Sequence, residues 1–171
     1  AMNRRGTKTY LQALFDKIRS RVPDCVIRTS LIAGLPGEGE AEFLELCDFL
    51  KRNRLERVGA FVYSPEEGTP AAEMPRPDEE TAKTRAQYIE RLQSRIMDEW
   101  CQEKVGASIE VLCEGFDDES GLYYGRSQWD SPDIDSRVWF TGRNFVPGEF
   151  VQVAVTAVRD GELQGAACQE E

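Results

Sequence analysis

From Thr7 onward apolar side chains recur at Leu11, Leu14, Phe15 and Ile18, and Pro23 closes the run. This 3.6-residue spacing predicts an amphipathic helix over Thr7 to Val22. The next stretch, CVIRTSLIAG, is rich in β-branched residues and ends at Gly34, so it reads as a strand. Phe43, Leu46, Cys47 and Leu50 restore the i, i+3, i+4, i+7 pattern and predict a second helix from about Glu40 to Arg54. RVGAFVY, Arg57 to Tyr63, reads as a second strand. Helix, strand, helix and strand in this order imply parallel strands with covering helices.

A long polar exit, SPEEGTPAAEMPRP, follows the second strand. It is too long for a tight turn and too rich in proline for a floppy linker, because each proline holds its own φ and restricts its predecessor. Pro77-Asp78-Glu79-Glu80 then reads as a helix start with acid in its first turn. Ile89, Leu92, Ile96 and Trp100 mark one apolar face, so a long helix is predicted from about Asp78 to Lys104. Near Val105-Gly106 the period changes from helical to two. SIEVLCEGF, GLYYGRS, SRVWFTG and FVQVAVTAV are four short alternating segments divided by turn residues, the pattern of a small all-β barrel. No internal repeat or low-complexity tract is present.

Composition narrows the class. With 171 residues and 40% hydrophobic content, the chain has the size of one ordinary domain or two small ones. No apolar run approaches bilayer length, and no hydrophobic segment backs the basic start AMNRRGTKTY, so neither a membrane span nor a signal peptide is expected and the default location is cytoplasmic. The five cysteines, Cys25, Cys47, Cys101, Cys113 and Cys168, are odd in number and scattered, which argues against a disulfide framework and a local metal motif. With no histidine, imidazole bases, His-Asp triads and His-ligated zinc are excluded. Of the net charge of −10, about nine units lie beyond Lys104, where thirteen acidic residues face four arginines. Such an acidic module suits a basic protein partner better than bulk phosphate, or serves solubility alone.

In parallel α/β folds ligands bind at the C-terminal ends of strands. Two such ends are visible, Ile32 to Glu38 and Tyr63 to Glu66. Arg28, Ser30, Ile32 and Gly34 share one strand parity, opposite to Ile27, Thr29 and Leu31. A guanidinium on a strand needs an anion or carbonyls, supplied either by a neighbouring strand or by a ligand. Gly34, Pro36 and Gly37 admit close backbone approach to a ligand or merely turn the chain. Phe61 and Tyr63 share a face and bracket a flat group or belong to the core. Glu66 and Glu67 are expected to be solvated and are assigned no acid–base role; no catalytic residue and no metal ligand is assigned.

Three blocks, RTSLIAGLPGE, ERVGAFVYSPEEGTPAAEMP and YGRSQWDSPDIDSRVWFTG, occur in this order and carry a resemblance over nearly the whole chain. Together they resemble the radical S-adenosylmethionine methylthiotransferases, in the RimO-type branch that modifies an aspartate of a small-subunit ribosomal protein. Relatives that modify tRNA tend to carry Arg-Pro where this chain has Glu66-Glu67, and they lack a counterpart of Ser131-Pro132-Asp133-Ile134-Asp135.

The resemblance implies an α/β plus small all-β fold: the last β/α units of a radical SAM TIM-like barrel over residues 1–75, a connecting helix over 76–104, and an OB-like antiparallel TRAM β-barrel over 105–171. It implies S-adenosyl-L-methionine and two 4Fe-4S clusters in a full-length enzyme. The CxxxCxxC cluster loop is absent from this sequence, so the chain is expected to be a C-terminal fragment that does not turn over alone. Arg28, Ser30, Ile32, Gly34, Phe61, Tyr63 and Ser64 would face the cofactor by strand position. The GxIxGxxE pattern of some radical enzymes is only partly met, with Ser30 for the first glycine and Glu38 one place late. Asp130, Asp133 and Asp135 would dock the basic ribosomal protein. The alternatives are a tRNA adenosine methylthiotransferase, which the acidic module disfavours, and a non-catalytic docking module.

Overall fold

The computed structural model describes residues 6–168. Arg4 and Arg5 of the basic start, and Glu170 and Glu171 of the acidic excess, lie outside the described residues. The chain divides into two compact units, Ala1–Ile96 and Met97–Glu171.

In the first unit, α1 (Lys8–Arg21), β1 (Arg28–Ala33), α2 (Glu40–Asn53), β2 (Arg57–Val62), a 3₁₀ turn (Pro70–Glu73) and the start of α3 (Glu79–Glu103) follow in order. Thr7 caps α1, its hydroxyl accepting from the Tyr10 amide at 3.2 Å. Glu42 accepts from the Gly39 amide at 3.0 Å to close the first turn of α2. Arg54, in the left-handed region at φ 44°, ends that helix.

β1 starts three residues later than the β-rich run CVIRTSLIAG suggests. The Ile27 amide is taken by the Glu56 carboxylate at 2.9 Å, and the Cys25 amide turns back to the Val22 carbonyl, so ladder pairing begins only at Arg28. The strands are parallel, with Arg28 opposite Arg57 and Ala33 opposite Val62. Leu31, Ala33, Val58, Ala60 and Val62 share one face and pack with Phe43, Cys47 and Leu50 of α2 and Ala86, Ile89, Leu92 and Ile96 of α3. The other face carries Ser30, Gly59 and Phe61, all exposed, with Phe61 at 59%.

Glu56 organises the far end of this sheet. It is 4% exposed, and beyond the Ile27 amide it pairs with Arg19 of α1 at 2.8 Å. Arg19 also reaches the carbonyls of Asn53 and Arg54, both at 3.1 Å.

The second unit is a closed barrel of β3 (Ser108–Asp117), β4 (Leu122–Ser127), β5 (Val138–Thr141), β6 (Phe150–Arg159) and β7 (Glu162–Ala167), in the order β3-β4-β5-β7-β6. Ile109, Val111, Cys113, Val138, Phe140, Val151, Val153, Val155 and Leu163 fill it by strict alternation. Two expectations need correction. The hydrophobic pattern predicts four strands, but there is a fifth, β7. The expected antiparallel barrel is antiparallel in every pairing but one, because β5 and β7 run parallel. β7 reads ELQGAA and is poor in bulky side chains for a steric reason: a Cβ at Gly165 would lie 2.3 Å from the Ala154 carbonyl oxygen. Trp100, expected on the same face as Ile96, packs instead with the barrel cluster and meets Trp129 edge-on at 5.2 Å.

Candidate functional site

The C-terminal ends of β1 and β2 open into a cleft of about 740 Å³. Gly34, Tyr63, Ser64 and Pro65 form one wall, Met74 to Pro77 the rim, and Asp78, Glu79, Ala82 and Lys83 of α3 the other wall. The polar exit read from the sequence is this rim. The Tyr63 amide adds one rung to the ladder through the Ala33 carbonyl at 2.9 Å, and the Gly37 amide donates to the Pro75 carbonyl at 3.2 Å, tying the rim back to the β1 end. Within the rim, the Thr69 hydroxyl donates to the Glu66 carbonyl at 2.8 Å and Arg76 to the Ala72 carbonyl at 3.0 Å. Glu66 and Glu67 are exposed.

Gly34 has no substitute at the head of the cleft. Its φ is +82°, and a Cβ there would lie 2.4 Å from the Ala82 Cβ. Its amide donates to Glu38 Oε2 at 3.0 Å, and Arg85 Nη1 donates to Glu38 Oε1 at 2.9 Å. The Glu38 and Arg85 side chains are only 10% and 9% exposed. Sequence reasoning valued Glu38 only as an imperfect motif match and missed Arg85, since nothing in a helical repeat shows which arginine turns inward.

α3 begins on a capped turn at the cleft edge. Asp78 Oδ1 accepts from the Thr81 amide at 2.8 Å and Oδ2 from the Thr81 hydroxyl at 2.9 Å. These bonds, the backbone one foremost, hold the Asp78 carboxyl below its usual range. A lowered folded-state value means that the cap stabilises fully above the ordinary aspartate range, near pH ~4, and is lost as pH falls through the lowered value. The Asp78→Ala chain should therefore melt earlier than wild type at neutral pH, and the gap should close under strong acid. Thermal unfolding followed across the acid range checks this.

Of the residues assigned by strand position, Gly34, Tyr63 and Ser64 line the cleft. Ser30, Ile32 and Phe61 lie on the sheet face leading to it, Ile32 directly across from Phe61. Arg28 stands at the opposite end of that face, six residues or roughly 20 Å from Gly34, across from Arg57.

In the barrel, Asp130 accepts from the Ser127 amide and hydroxyl at 3.0 and 2.6 Å, and Asp135 from the Ser131 amide at 2.7 Å. These carboxylates shape their loop, whereas Asp133 is exposed at φ +59°. Asp133 and Asp135 line a pocket of about 230 Å³ together with Glu114, Arg126 and Arg137. Arg126 pairs with Glu114 at 2.7 Å, and Arg137 lies 4.3 Å from the Tyr124 ring centroid. The acidic cluster is thus interleaved with two arginines whose positions strand periodicity did not single out.

Among the described residues no group of three or more Cys, Asp or Glu side chains is arranged to hold a metal ion. Cys47 is buried in the core of the first unit, and Cys101 and Cys113 are buried in that of the second. These residues do not fit an iron–sulfur cluster. No helix is long and apolar enough to cross a membrane among the described residues.

Residues 105–168 match the TRAM domain family. Along its length the chain is similar to proteins named ribosomal protein uS12 methylthiotransferase RimO. The one from Desulforamulus reducens is 42% identical over 99% of this chain and 39% of its own length. Those from Caldicellulosiruptor saccharolyticus and Acetivibrio thermocellus are 39% and 38% identical, over 96% and 99% of this chain and 37% and 38% of their own lengths. The chain spans about two fifths of the length of these curated relatives. With two compact units, a barrel in the TRAM region and this identity running through both, the chain is similar along its whole length to a part of the RimO methylthiotransferases.

Proposed function

We propose that this chain is the C-terminal part of a radical S-adenosylmethionine enzyme that methylthiolates an aspartate β-carbon of ribosomal protein uS12, the substrate named in its relatives. The observation that carries the reading is the cleft at the ends of two parallel strands, reached along an exposed sheet face, in a chain that matches RimO proteins through both units. Residues 1–75 would close the radical domain, 76–104 would connect, and the barrel would dock the substrate.

The cleft and the sheet face leading to it suit an adenosyl ligand. Phe61 and Tyr63 offer ring faces for a flat base, Ile32 an apolar contact, and Ser30, Ser64 and the Gly34 backbone polar ones. S-adenosylmethionine supplies the reactive radical and the methyl group when bound with its reductant; this chain's residues orient it and exclude water. Both clusters would be held by residues outside this chain.

The acidic barrel favours a basic protein over tRNA. The test is binding of this chain to uS12 and, in parallel, to a tRNA anticodon stem-loop, each at two salt concentrations. Salt-sensitive binding to uS12 alone is expected, and Asp133→Lys should weaken it by about two- to fivefold at low salt. A preference for the stem-loop overturns the assignment of substrate.

A further inference from the structure

The buried Glu38–Arg85 pair is not explained by stability alone. Burying two charges costs desolvation that apolar side chains of the same volume would avoid, so what the pair adds is direction. The guanidinium reaches one short segment of chain, Glu38 to Phe43. Nη1 donates to the Glu38 carbonyl and carboxylate at 3.0 and 2.9 Å, Nη2 reaches Glu40 at 3.3 Å, and the Phe43 ring lies 5.1 Å away. The second Glu38 oxygen then holds the Gly34 amide. One turn before Arg85, Ala82 occupies the space that any side chain at residue 34 would need. α3 therefore grips the end of β1 at two points, where the strand leaves its ladder and enters the cleft wall.

We propose that Arg85 is a positioning residue for the cleft, holding the Gly34 backbone through Glu38 so that an adenosyl ligand meets a fixed ledge. This rests on the cofactor reading above. Without the guanidinium, the Glu38 carboxylate loses its orienting partner and Gly34, free of any Cβ, samples other conformations.

The experiment uses the ¹⁵N-labelled chain in wild-type, Arg85→Met, Arg85→Lys and Glu38→Gln forms, reading hydrogen exchange at the Gly34 amide and affinity for S-adenosylhomocysteine. In Arg85→Met and Glu38→Gln, Gly34 exchange should rise about tenfold while the β1–β2 ladder amides hold, and probe affinity should fall at least about fivefold. Arg85→Lys, which cannot reach the Glu38 carbonyl, the Glu38 carboxylate and Glu40 together, should fall between. Faster Gly34 exchange with wild-type affinity would reduce the pair to a structural staple and overturn the proposal, as would unchanged exchange in both variants. Glu38→Gln keeps a neutral acceptor beside Gly34 and serves if Arg85→Met does not fold. A wild-type chain that does not bind the probe sinks the cofactor reading and the seating of a ligand with it, while Gly34 exchange still decides whether Arg85 holds the strand end.

Discussion

Gly125→Ala should unfold the barrel while leaving the first unit folded. Gly125 is buried on β4, and a Cβ there would lie 2.2 Å from the Leu112 carbonyl oxygen and 2.9 Å from Val111 Cγ1. The first neighbour is backbone of β3, which Val111↔Ser127 and Cys113↔Gly125 hold in register on either side, so it cannot swing aside as a side chain would. Overpacking of this kind costs about 3 kcal/mol or more, against the ~3–5 kcal/mol that a core of this size supplies. All three tryptophans, Trp100, Trp129 and Trp139, lie in the second unit, so their fluorescence reports on it alone. The expected result is a tryptophan spectrum already red-shifted without denaturant, alongside retained helical circular dichroism. A cooperative tryptophan transition at the wild-type midpoint would show that the strands separate at little cost.

The second large effect is expected at Glu56, in the other unit. Its carboxylate is at once the partner of Arg19 and the acceptor for the Ile27 amide just before β1. Its carbonyl accepts from Gln93 Nε2 at 2.5 Å, so the backbone on either side of the side chain is also held. Glu56→Ala leaves a buried amide without its acceptor and removes the arginine's carboxylate, a loss of about 3 kcal/mol. Glu56→Gln keeps an acceptor for the amide and should lose only about 1–2 kcal/mol, because the charge-assisted part of the pairing goes. Urea unfolding followed by far-ultraviolet circular dichroism, dominated by the helices of this unit, separates the two. Equal losses in both variants would mean that charge, not the hydrogen bond to Ile27, is what matters there.

Much of the fold was legible because burial imposes a period. Phe43, Cys47 and Leu50 on α2 and Ile89, Leu92 and Ile96 on α3 are core residues as their spacing requires. The alternation of Val151, Val153 and Val155 marks the inside of the barrel directly. β7 was missed because, after Leu163, its inward positions are the small Gly165 and Ala167, and β6 passes close at Gly165. The signal that would have found it is Asp160-Gly161, both at positive φ and joining Arg159 to its partner Glu162 as a two-residue hairpin turn. Strand parity put Ser30 and Ile32 on the face opposite Leu31, but it left Phe61 between that face and the core until the ladder set it across from Ile32, and it could not show that Arg28 lies far from the C-terminal strand ends.

By itself, then, the order of residues determined the helices, the two parallel strands, the change to a barrel and the resemblance to RimO proteins, since each depends on local period or on linear blocks of sequence. Only the tertiary structure decided which charges turn inward. Nothing in the residues flanking Glu38, Glu56 and Arg85 marks them as buried, and what makes them structural is the packing of α3 and α1 against strand ends distant in sequence. A buried charge is tolerated only where a partner meets it in space, and spatial partners 29 or 47 residues apart leave no periodic trace in the sequence.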